Sequence, residues 1–302
     1  MPNVSIVTAT YNRSSTLPRA IESVLSQTYA DFEHIIVDDG SDDSTPEVVN
    51  RYDDSRITYI RLDENRGANA ARNIGIKEAS GDYISILDSD DEYHPKRIER
   101  MISAIQNVPS AVGAVCHSYQ RVSNNTPDSI KSVPQGMFSL DELRHGNAIG
   151  SFLGVLFKAD LFTKIGNLDE KMVASQDYEY YLRVAREYSF FGVSDVLGLH
   201  YRLSESIGAN TFRTQRAYRQ VRQRHGDILS KHQAAKYKYT LFQHYAEQEN
   251  VSQAKKALLD SVRLNPRNPV LYYYLIFSIL GENGIQMAER LKNHISKRLL
   301  SS

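Results

Sequence analysis

The chain has 302 residues, enough for two domains, and its 41% hydrophobic and 24% charged residues are typical of an ordinary globular protein. Basic and acidic residues number 36 each, so no global charge argues for a nucleic-acid partner. The single cysteine, Cys116, excludes an intramolecular disulfide and fits a reducing compartment, so we expect a cytoplasmic protein. A strand-like run begins at Val4, which predicts that no signal peptide precedes the fold.

Strands alternate with helices through the first 110 residues or so. Residues 4–10, 32–37, 57–60 and 84–87 are predicted strands, and helices should follow from about residues 15, 44, 65 and 95. This alternation predicts βαβ units and a mainly parallel sheet. Right-handed crossovers bring the carboxyl ends of such strands to one edge. Residues 8–13, 38–39 and 88–91 should therefore converge on a binding crevice.

The alternation becomes less regular after Ala111. Residues 112–122 and 151–157 are predicted strands, residues 123–134 a polar loop, and residues 175–185 a helix. Asp177 falls in the first turn of that helix, where the helix dipole favours a carboxylate. On spacing alone, a helix-end role and a functional role explain Asp177 equally well.

The chain becomes helical and basic after about Ser204. Five arginines within twelve residues are predicted to form a solvated helix face: Arg213, Arg216, Arg219, Arg222 and Arg224. An echo follows at a spacing of 34 residues, in which Tyr237, Leu241, Tyr245 and Ala254 recur as Leu271, Leu275, Ile279 and Ala288. This layout resembles the tetratricopeptide repeat (TPR), but two copies cannot bury a core alone. We therefore divide the chain into residues 1–204 and a helical extension, residues 205–302, that packs on them.

The last segment, residues 284–300, is a predicted basic amphipathic helix. Its cations are Arg290, Lys292, Lys297 and Arg298, separated by apolar residues. Packing within the repeat is the favoured explanation, and a peripheral contact with the inner face of the cell membrane is the alternative. The apolar run 271–280 is too short to span a bilayer.

The most informative stretch is the acidic run that follows the fourth predicted strand. Asp88, Asp90 and Asp91 would crowd at one strand end, where their mutual repulsion favours a cation. Oxygen ligands of this kind suit Mg²⁺ or Mn²⁺, which also bridge to substrate phosphates. Taken alone, so short a motif is more typical of a solvated acidic turn than of a metal site.

Five segments, taken together, resemble the inverting family 2 glycosyltransferases of GT-A type over roughly residues 1–200. They are residues 4–13, 36–41, 65–75, 87–91 and 176–183, in the order in which that family carries them. The resemblance implies an α/β fold: a GT-A-like, Rossmann-type mixed sheet, mainly parallel and flanked by helices, followed here by the all-helical TPR-like extension. It also implies metal-dependent transfer of a sugar from a nucleotide sugar to a hydroxyl group.

The resemblance assigns roles by position in those motifs. The residues expected at the nucleotide are Thr8, Ala9, Tyr11, Arg13, Asp38, Asp39, Gly67, Ala71, Arg72, Ser89 and Asp90. Asp88, Asp90 and Asp91 are expected to hold Mn²⁺ or Mg²⁺. Asp177 corresponds to the catalytic base, although Gln176 precedes it where the family often has Glu. UDP is the favoured nucleotide because Asp39 suits a uracil N–H, with GDP and dTDP left open. The acceptor is left open among lipid-linked, cell-surface and protein glycans.

Other enzyme classes fit less well. Haloacid-type phosphatases and receiver domains need acidic residues on the first strand, which ends here in Thr10, Tyr11 and Asn12. No G-x-G-x-x-G follows that strand, which excludes a Rossmann dehydrogenase. A sugar nucleotidyltransferase shares the sheet and the metal but usually needs a glycine-rich loop there. This class and a non-enzymatic scaffold that works through the helical tail are the alternatives.

Overall fold

The computed structural model describes residues 2–202, 211–247 and 250–278. The chain divides into two compact units, Met1–Ala209 and Asn210–Ser302, which we describe separately. The boundary lies five residues beyond the one drawn from the sequence at residue 204. The assignment of a catalytic role to the first part remains a prediction.

Among the described residues of the first unit, ten strands form a single sheet. The strands are β1 Val4–Thr10, β2 Phe32–Asp38, β3 Ile57–Arg61, β4 Tyr83–Ile86, β5 Glu92–Tyr93, β6 Val112–Ser123, β7 Thr126–Lys131, β8 Gly136–Phe138, β9 Val155–Lys158 and β10 Ser189–Arg202. The helices are α1 Leu17–Leu25, α2 Thr45–Val49, α3 Ala68–Glu78, α4 Arg97–Gln106, α5 Leu140–Leu143, α6 Leu161–Lys164 and α7 Gln176–Val184. A 3₁₀ turn, Phe152–Gly154, precedes β9.

The sheet is mixed, with strand order β3-β2-β1-β4-β9-β6-β10-β5. Strands β3, β2, β1 and β4 are parallel, and so are β6 and β10. Strand β9 runs antiparallel between β4 and β6. Thr10 at the end of β1 pairs with Asp38 at the end of β2, and Val7 pairs with Ile86 at the end of β4. The carboxyl ends of these three strands therefore share one edge, as the sequence predicts.

The first strands are apolar on both faces because helices cover both sides of the sheet. Ile36 of β2 packs with Leu17 and Ile21 of α1 on one side. Its neighbour Ile35 points to the other side, where it packs against Ala71 of α3. Small residues bring α3 close to the sheet, since a Cβ on Gly75 would lie 2.5 Å from Cγ1 of Val7. This close approach carries the polar face of α3 to the strand ends.

The second half of the unit departs from the sequence prediction. The polar segment 123–134 is not simply a loop, because β7 pairs antiparallel with β6 across a turn at Asn124 and Asn125, both with positive φ. The segment 151–157 is not one strand but the 3₁₀ turn followed by β9. Strand β10 was not predicted, because several of its residues are partly or fully exposed and its apolar alternation is weak.

The described part of the second unit is helical: α8 Thr211–His225, α9 Lys231–Glu247, α10 Val251–Leu264 and α11 Pro269–Ser278. Four of the echoed positions, Tyr237, Leu241, Ala254 and Leu271, are buried in its core. Ile279, Ala288 and the predicted helix 284–300 lie outside the described residues, so the TPR likeness remains a prediction. No helix within the described ranges combines the length and the apolar composition that crossing a membrane requires.

Candidate active site

The turns after β1 and β2 are bonded to each other at the shared edge of the sheet. The backbone N–H of Asn12 donates to Oγ of Ser41 at 2.9 Å, and that of Arg13 donates to Oγ1 of Thr45 at 3.0 Å. Asn12 has a φ of 52°, a left-handed conformation that asparagine tolerates better than most residues. The turn presents Tyr11, which is 42% exposed, beside the partly buried Arg13 and Ala9.

Asp38 and Asp39 are both buried and have different partners. Asp38 accepts hydrogen bonds from the Ser41 N–H and from the Tyr59 hydroxyl, at 2.9 and 2.7 Å. The two oxygens of Asp39 accept the N–H groups of Arg66 and Gly67, each at 2.8 Å. Asp38 therefore closes its own turn, whereas Asp39 holds the segment that leads into α3.

Gly67 begins that helix as its N-cap and leaves room beside the chain. Its φ of 95° is one that side-chain-bearing residues rarely adopt, and a Cβ there would meet no atom within 4 Å. A ligand can therefore approach the backbone closely at the start of α3. Ala71, one turn further on, is fully buried against the sheet.

Thr8 is placed differently from the other predicted nucleotide residues. It has no exposed surface, and its Oγ1 lies 2.9 Å from Nε2 of His34 inside the sheet. Burial lowers the pKa of His34 to about 3, so its imidazole is neutral. The side chain of Thr8 thus contacts another strand rather than the crevice, and its nucleotide role remains a prediction.

Arg72 joins three elements at the strand ends. Its guanidinium donates to Oδ1 of Asp88 at 2.6 Å, to Oε1 of Gln176 at 2.9 Å and to Oδ1 of Asn69 at 3.0 Å. Gln176 supplies a neutral acceptor where the family often has a charged Glu. The charge of Arg72 therefore remains available to Asp88. The less usual residue before Asp177 therefore has a structural explanation.

The acidic run does not form a metal site by itself. Nowhere in residues 2–202, 211–247 and 250–278 are three or more His, Cys, Asp or Glu side chains grouped so that they could hold a metal ion. Asp88 is partly exposed and paired with Arg72, while Ser89 is buried. Burial raises the pKa of Asp90, and the charge of Asp88 raises it further. A cation beside Asp88 and Asp90 would relieve this repulsion, and carboxylate oxygens suit Mg²⁺ or Mn²⁺.

Asp91, the third predicted metal ligand, contacts β10 instead. It has no exposed surface; Oδ2 lies 2.9 Å from Nδ1 of His200, and Oδ1 accepts the Tyr201 N–H at 3.0 Å. Burial lowers the pKa of His200 and raises that of Asp91, and their hydrogen bond and charge interaction oppose both effects. For His200 the interaction with Asp91 prevails, so the two form an ion pair. With hydrogen bonds on both oxygens, Asp91 is better suited to holding β10 against the acidic run than to binding metal.

Asp177 lies in the first turn of α7, as predicted, but it is not the residue that caps the helix. That position belongs to Ser175, which has a φ of 53°. Asp177 accepts hydrogen bonds from the Tyr178 N–H at 2.7 Å and from the Asn147 side chain at 3.2 Å. Burial raises its pKa to about 6, and the charge of Asp88 contributes, against the opposing effects of the Tyr178 N–H, Arg72 and Asn147. Because the neighbouring Gln176 accepts a hydrogen bond from Arg72, which also pairs with Asp88, Asp177 lies in the same site as the strand ends.

A loop that the sequence did not single out for function supports Asp177. The Asn147 side chain accepts the Gly150 N–H at 2.7 Å and donates to the Gly150 carbonyl at 3.1 Å, and the Ser151 N–H donates to the Tyr119 hydroxyl at 3.0 Å. Gly150 has a φ of 97°, and a Cβ there would lie 2.1 Å from that hydroxyl oxygen. The glycine was a detectable signal of close approach, whereas nothing in the sequence linked Asn147 to Asp177.

Comparison with known proteins identifies the family. The family model for glycosyl transferase family 2 matches residues 5–166, more than half of the chain. One relative is an Escherichia coli protein named UDP-Glc:alpha-D-GlcNAc-diphosphoundecaprenol beta-1,3-glucosyltransferase WfgD. It is 31% identical over 212 residues, which cover 70% of this chain and 81% of that protein.

Two solved structures share the fold. Staphylococcus aureus TarS 1-349 in complex with UDP-GlcNAc has a TM-score of 0.69 at 16% identity, covering 97% of this chain and 92% of that one. The mannosyltransferase PcManGT from Pyrobaculum calidifontis, in complex with GDP-Man and Mn²⁺, has a TM-score of 0.60 at 18% identity, covering 100% of this chain and 88% of that one. At these identities the likeness shows the fold alone.

Proposed function

The chain belongs to glycosyl transferase family 2 and has a GT-A fold, and we propose that it transfers a sugar from a UDP-sugar to a hydroxyl group of a lipid-linked or cell-surface glycan. Transfer proceeds with inversion at the anomeric carbon and with the aid of Mn²⁺ or Mg²⁺. Glycosyltransferase activity in glycan biosynthesis follows from the family and its relatives. The donor, the metal and the stereochemistry are the proposal.

The donor assignment is supported by the strand-end crevice and by the ligands named for two similar proteins. TarS was solved with UDP-GlcNAc, and WfgD is named for UDP-Glc. In this chain we assign the nucleoside to the exposed Tyr11 with Arg13 and Ala9, and to the open backbone at Gly67. Asp38 and Asp39 support these segments, and each oxygen of Asp39 retains a second lone pair for a base N–H.

The metal assignment is supported by the donor set at the end of β4. Asp88 and Asp90 would hold the ion, together with phosphate oxygens of the nucleotide, since Mg²⁺ is usually bound by one or two carboxylates plus substrate phosphates. A bound divalent cation neutralises the charge that develops on the departing nucleoside diphosphate. Arg72 pairs with Asp88 at 2.6 Å and holds its carboxylate in position. Asp91 is assigned to support through His200 rather than to the metal.

We assign the role of catalytic base to Asp177, and the environment of its carboxyl group is the observation that carries the proposal. With a pKa of about 6, Asp177 would be about 90% ionised at pH 7 and still basic enough to accept a proton. It takes the acceptor hydroxyl proton as the oxygen bonds to the anomeric carbon and the carbon–diphosphate bond breaks. A single base carboxylate apart from the metal carboxylates is what one displacement with inversion requires.

The experiment is the substitution Asp177→Asn, which keeps the shape of the side chain and removes its basicity. Transfer should fall by roughly 10²-fold or more, while UDP binding by calorimetry stays unchanged. Asp160→Asn makes the same chemical change at an exposed position and should leave transfer intact. Transfer within a few-fold of the wild type would exclude Asp177 as the base. Equal UDP affinity with and without EDTA would exclude the metal.

We further assign catalysis to residues 1–204, the part of the chain that contains the family match. Because WfgD is named for an acceptor on a diphosphoundecaprenol carrier, a peripheral contact with the membrane through residues 284–300 fits the proposed reaction. That segment lies outside the described residues, and the contact is tested below with vesicles.

A further inference from the structure

The second unit contains an open groove with a volume of about 490 Å³, formed between α8, α9 and α10. Two of the five arginines of the basic run, Arg219 and Arg222, line it together with Lys256 of α10. The basic run is therefore more than a solvated helix face, because part of it forms one wall of a concave surface.

Arg219 is held in place by two tyrosine hydroxyls of α9. Its Nε donates to Tyr237 at 3.0 Å and its Nη2 donates to Tyr245 at 3.2 Å. The Tyr237 ring is itself stacked on Tyr218, with ring centroids 4.5 Å apart. The two hydroxyls orient the guanidinium without an ion pair to a carboxylate, and within the described ranges its other N–H groups remain available to a ligand. A guanidinium group held in this way loses little side-chain entropy when it binds an anion.

The positive charge of the groove is not balanced within the described residues. Asp260, the carboxylate that lines the groove, is paired with Lys238 at 2.8 Å and lies 3.8 Å from Arg263. In the described ranges, Arg222 and Lys256 take part in no ion pair with a carboxylate. Like charges gathered in a concave surface focus the electrostatic potential and raise the local concentration of anions.

The remaining lining groups are suited to a carbohydrate. Gln223 and Gln253 bring amides that both donate and accept, and the partly exposed Tyr245 offers part of an aromatic ring. Two apolar residues of the lining, Leu241 and Ala257, are themselves buried. Polar groups, a partly exposed aromatic ring and fixed cations together match a hydroxyl-rich chain that carries negative charges.

From these observations we propose that the groove between α8, α9 and α10 binds an acidic glycan, a carbohydrate chain bearing carboxylate or phosphate groups, at a site separate from the candidate active site. The preference for a glycan over an acidic peptide rests on the proposed function. Binding itself requires no donor, no metal and no transfer. The failure of this proposal and the failure of the proposed function are therefore distinguishable.

The test is native electrophoresis of the full chain through gels that contain a soluble polysaccharide, at about 0.15 M salt to suppress weak surface attraction. Polygalacturonate supplies carboxylates, a phosphorylated mannan supplies phosphates, and the unphosphorylated mannan is the neutral comparison. We expect retardation by at least one acidic polymer and none by the neutral one. The arm that retards the protein identifies the anionic group.

Paired substitutions separate the groove from general charge. Arg222→Gln with Lys256→Gln should weaken the interaction about tenfold or more, the loss expected from two charge-assisted contacts. Arg216→Gln with Lys255→Gln removes the same charge from the same two helices outside the groove and should have little effect. Melting curves check that both variants are folded.

Three results would overturn the proposal. The first is no retardation by either acidic polymer, and the second is equal weakening in both pairs of substitutions. The third is displacement of the acidic polysaccharide by polyglutamate at a lower concentration of charged groups, which would identify an acidic peptide as the occupant.

Discussion

The substitution Asn147→Asp tests whether the environment of Asp177 sets the pH dependence of transfer. Asn147 donates to Asp177 at 3.2 Å and also accepts from the Gly150 N–H at 2.7 Å. Aspartate at position 147 keeps the shape and the acceptor for Gly150 but puts a second carboxylate where the donor stood. Two carboxylates that share a site cannot both ionise easily, so the pKa of the base should rise.

The size of the effect follows from the geometry. Two full charges about 4 Å apart interact by roughly 4 kcal/mol at an effective dielectric constant of about 20, equivalent to about three pKa units. Because the site is partly open to solvent, we expect one to two units. The acid limb of kcat/KM should then move from about pH 6 to about pH 7–8. Activity at pH 7 should fall two- to tenfold, because base catalysis requires the ionised form, and it should recover as the pH rises towards 9.

The assay is kcat/KM for transfer between pH 5 and 9, compared with Asn147→Leu. That control loses both hydrogen bonds to Gly150, including the one that aspartate keeps, without adding a charge, so damage to the loop would appear as a loss at every pH. An acid limb that stays near pH 6 in Asn147→Asp, or a loss that raised pH does not reverse, would refute the assignment of the limb to Asp177.

Three further predictions concern other parts of the molecule. Gly150→Ala forces a Cβ to within 2.1 Å of the Tyr119 hydroxyl and should lower the unfolding free energy by about 1–3 kcal/mol in thermal melts. Gly136→Ala is the control, since Gly136 also has a positive φ but lies in open space, and its unfolding free energy should fall by less. Asp91→Asn should lower the melting temperature and leave Mn²⁺-dependent UDP affinity largely intact. Asp90→Asn should instead weaken that UDP binding and leave the melting temperature largely unchanged. Weaker UDP binding by Asp91→Asn, without a change in its melting temperature, would reassign Asp91 to the metal. If residues 284–300 contact the membrane, the full chain should co-sediment with anionic vesicles, and less so as salt rises. An absence of binding, or binding unchanged by charge reversal, would exclude these residues as the membrane contact. The charge-reversed residues are Arg290, Lys292, Lys297 and Arg298, each changed to Glu.

The sequence predicted the first half of the first unit well because local signals determine its strands and helices. Apolar runs such as 4–10 and 32–37 are buried on both faces, and each is separated from the next by an amphipathic or small-residue-rich helix. The second half depends on pairings between distant segments. Strand β9 pairs antiparallel with β4 and β6, and nothing local in its four residues indicates that direction. The turn at residues 124–125 carries its signal in two adjacent asparagines, which a polar composition concealed.

The candidate site shows the same limit at the level of side chains. Residue type and motif order picked out Asp88, Asp90 and Asp177, because their chemistry is visible in the sequence. The partners of Asp91 and Asp177 were not visible, since His200 lies 109 positions from Asp91 and Asn147 lies 30 positions from Asp177. The three adjacent carboxylate positions 88, 90 and 91 look alike in the sequence, and only tertiary contacts assign Asp91 to β10. Sequence therefore identifies which groups are present, and the fold determines which of them face a ligand.

The ion pair between Asp91 and His200 also bears on how the protein is made. The two residues are 109 positions apart in the chain. At roughly 5–20 residues per second, a ribosome needs roughly 5–20 s to synthesise the segment between them. The parallel half of the sheet leaves the ribosome first, with the acidic strand end still lacking β10 and the partner that neutralises its buried carboxylate. The nascent chain therefore cannot form this ion pair until almost the whole first unit has been translated, and premature termination before β10 leaves β6 without its longest neighbour.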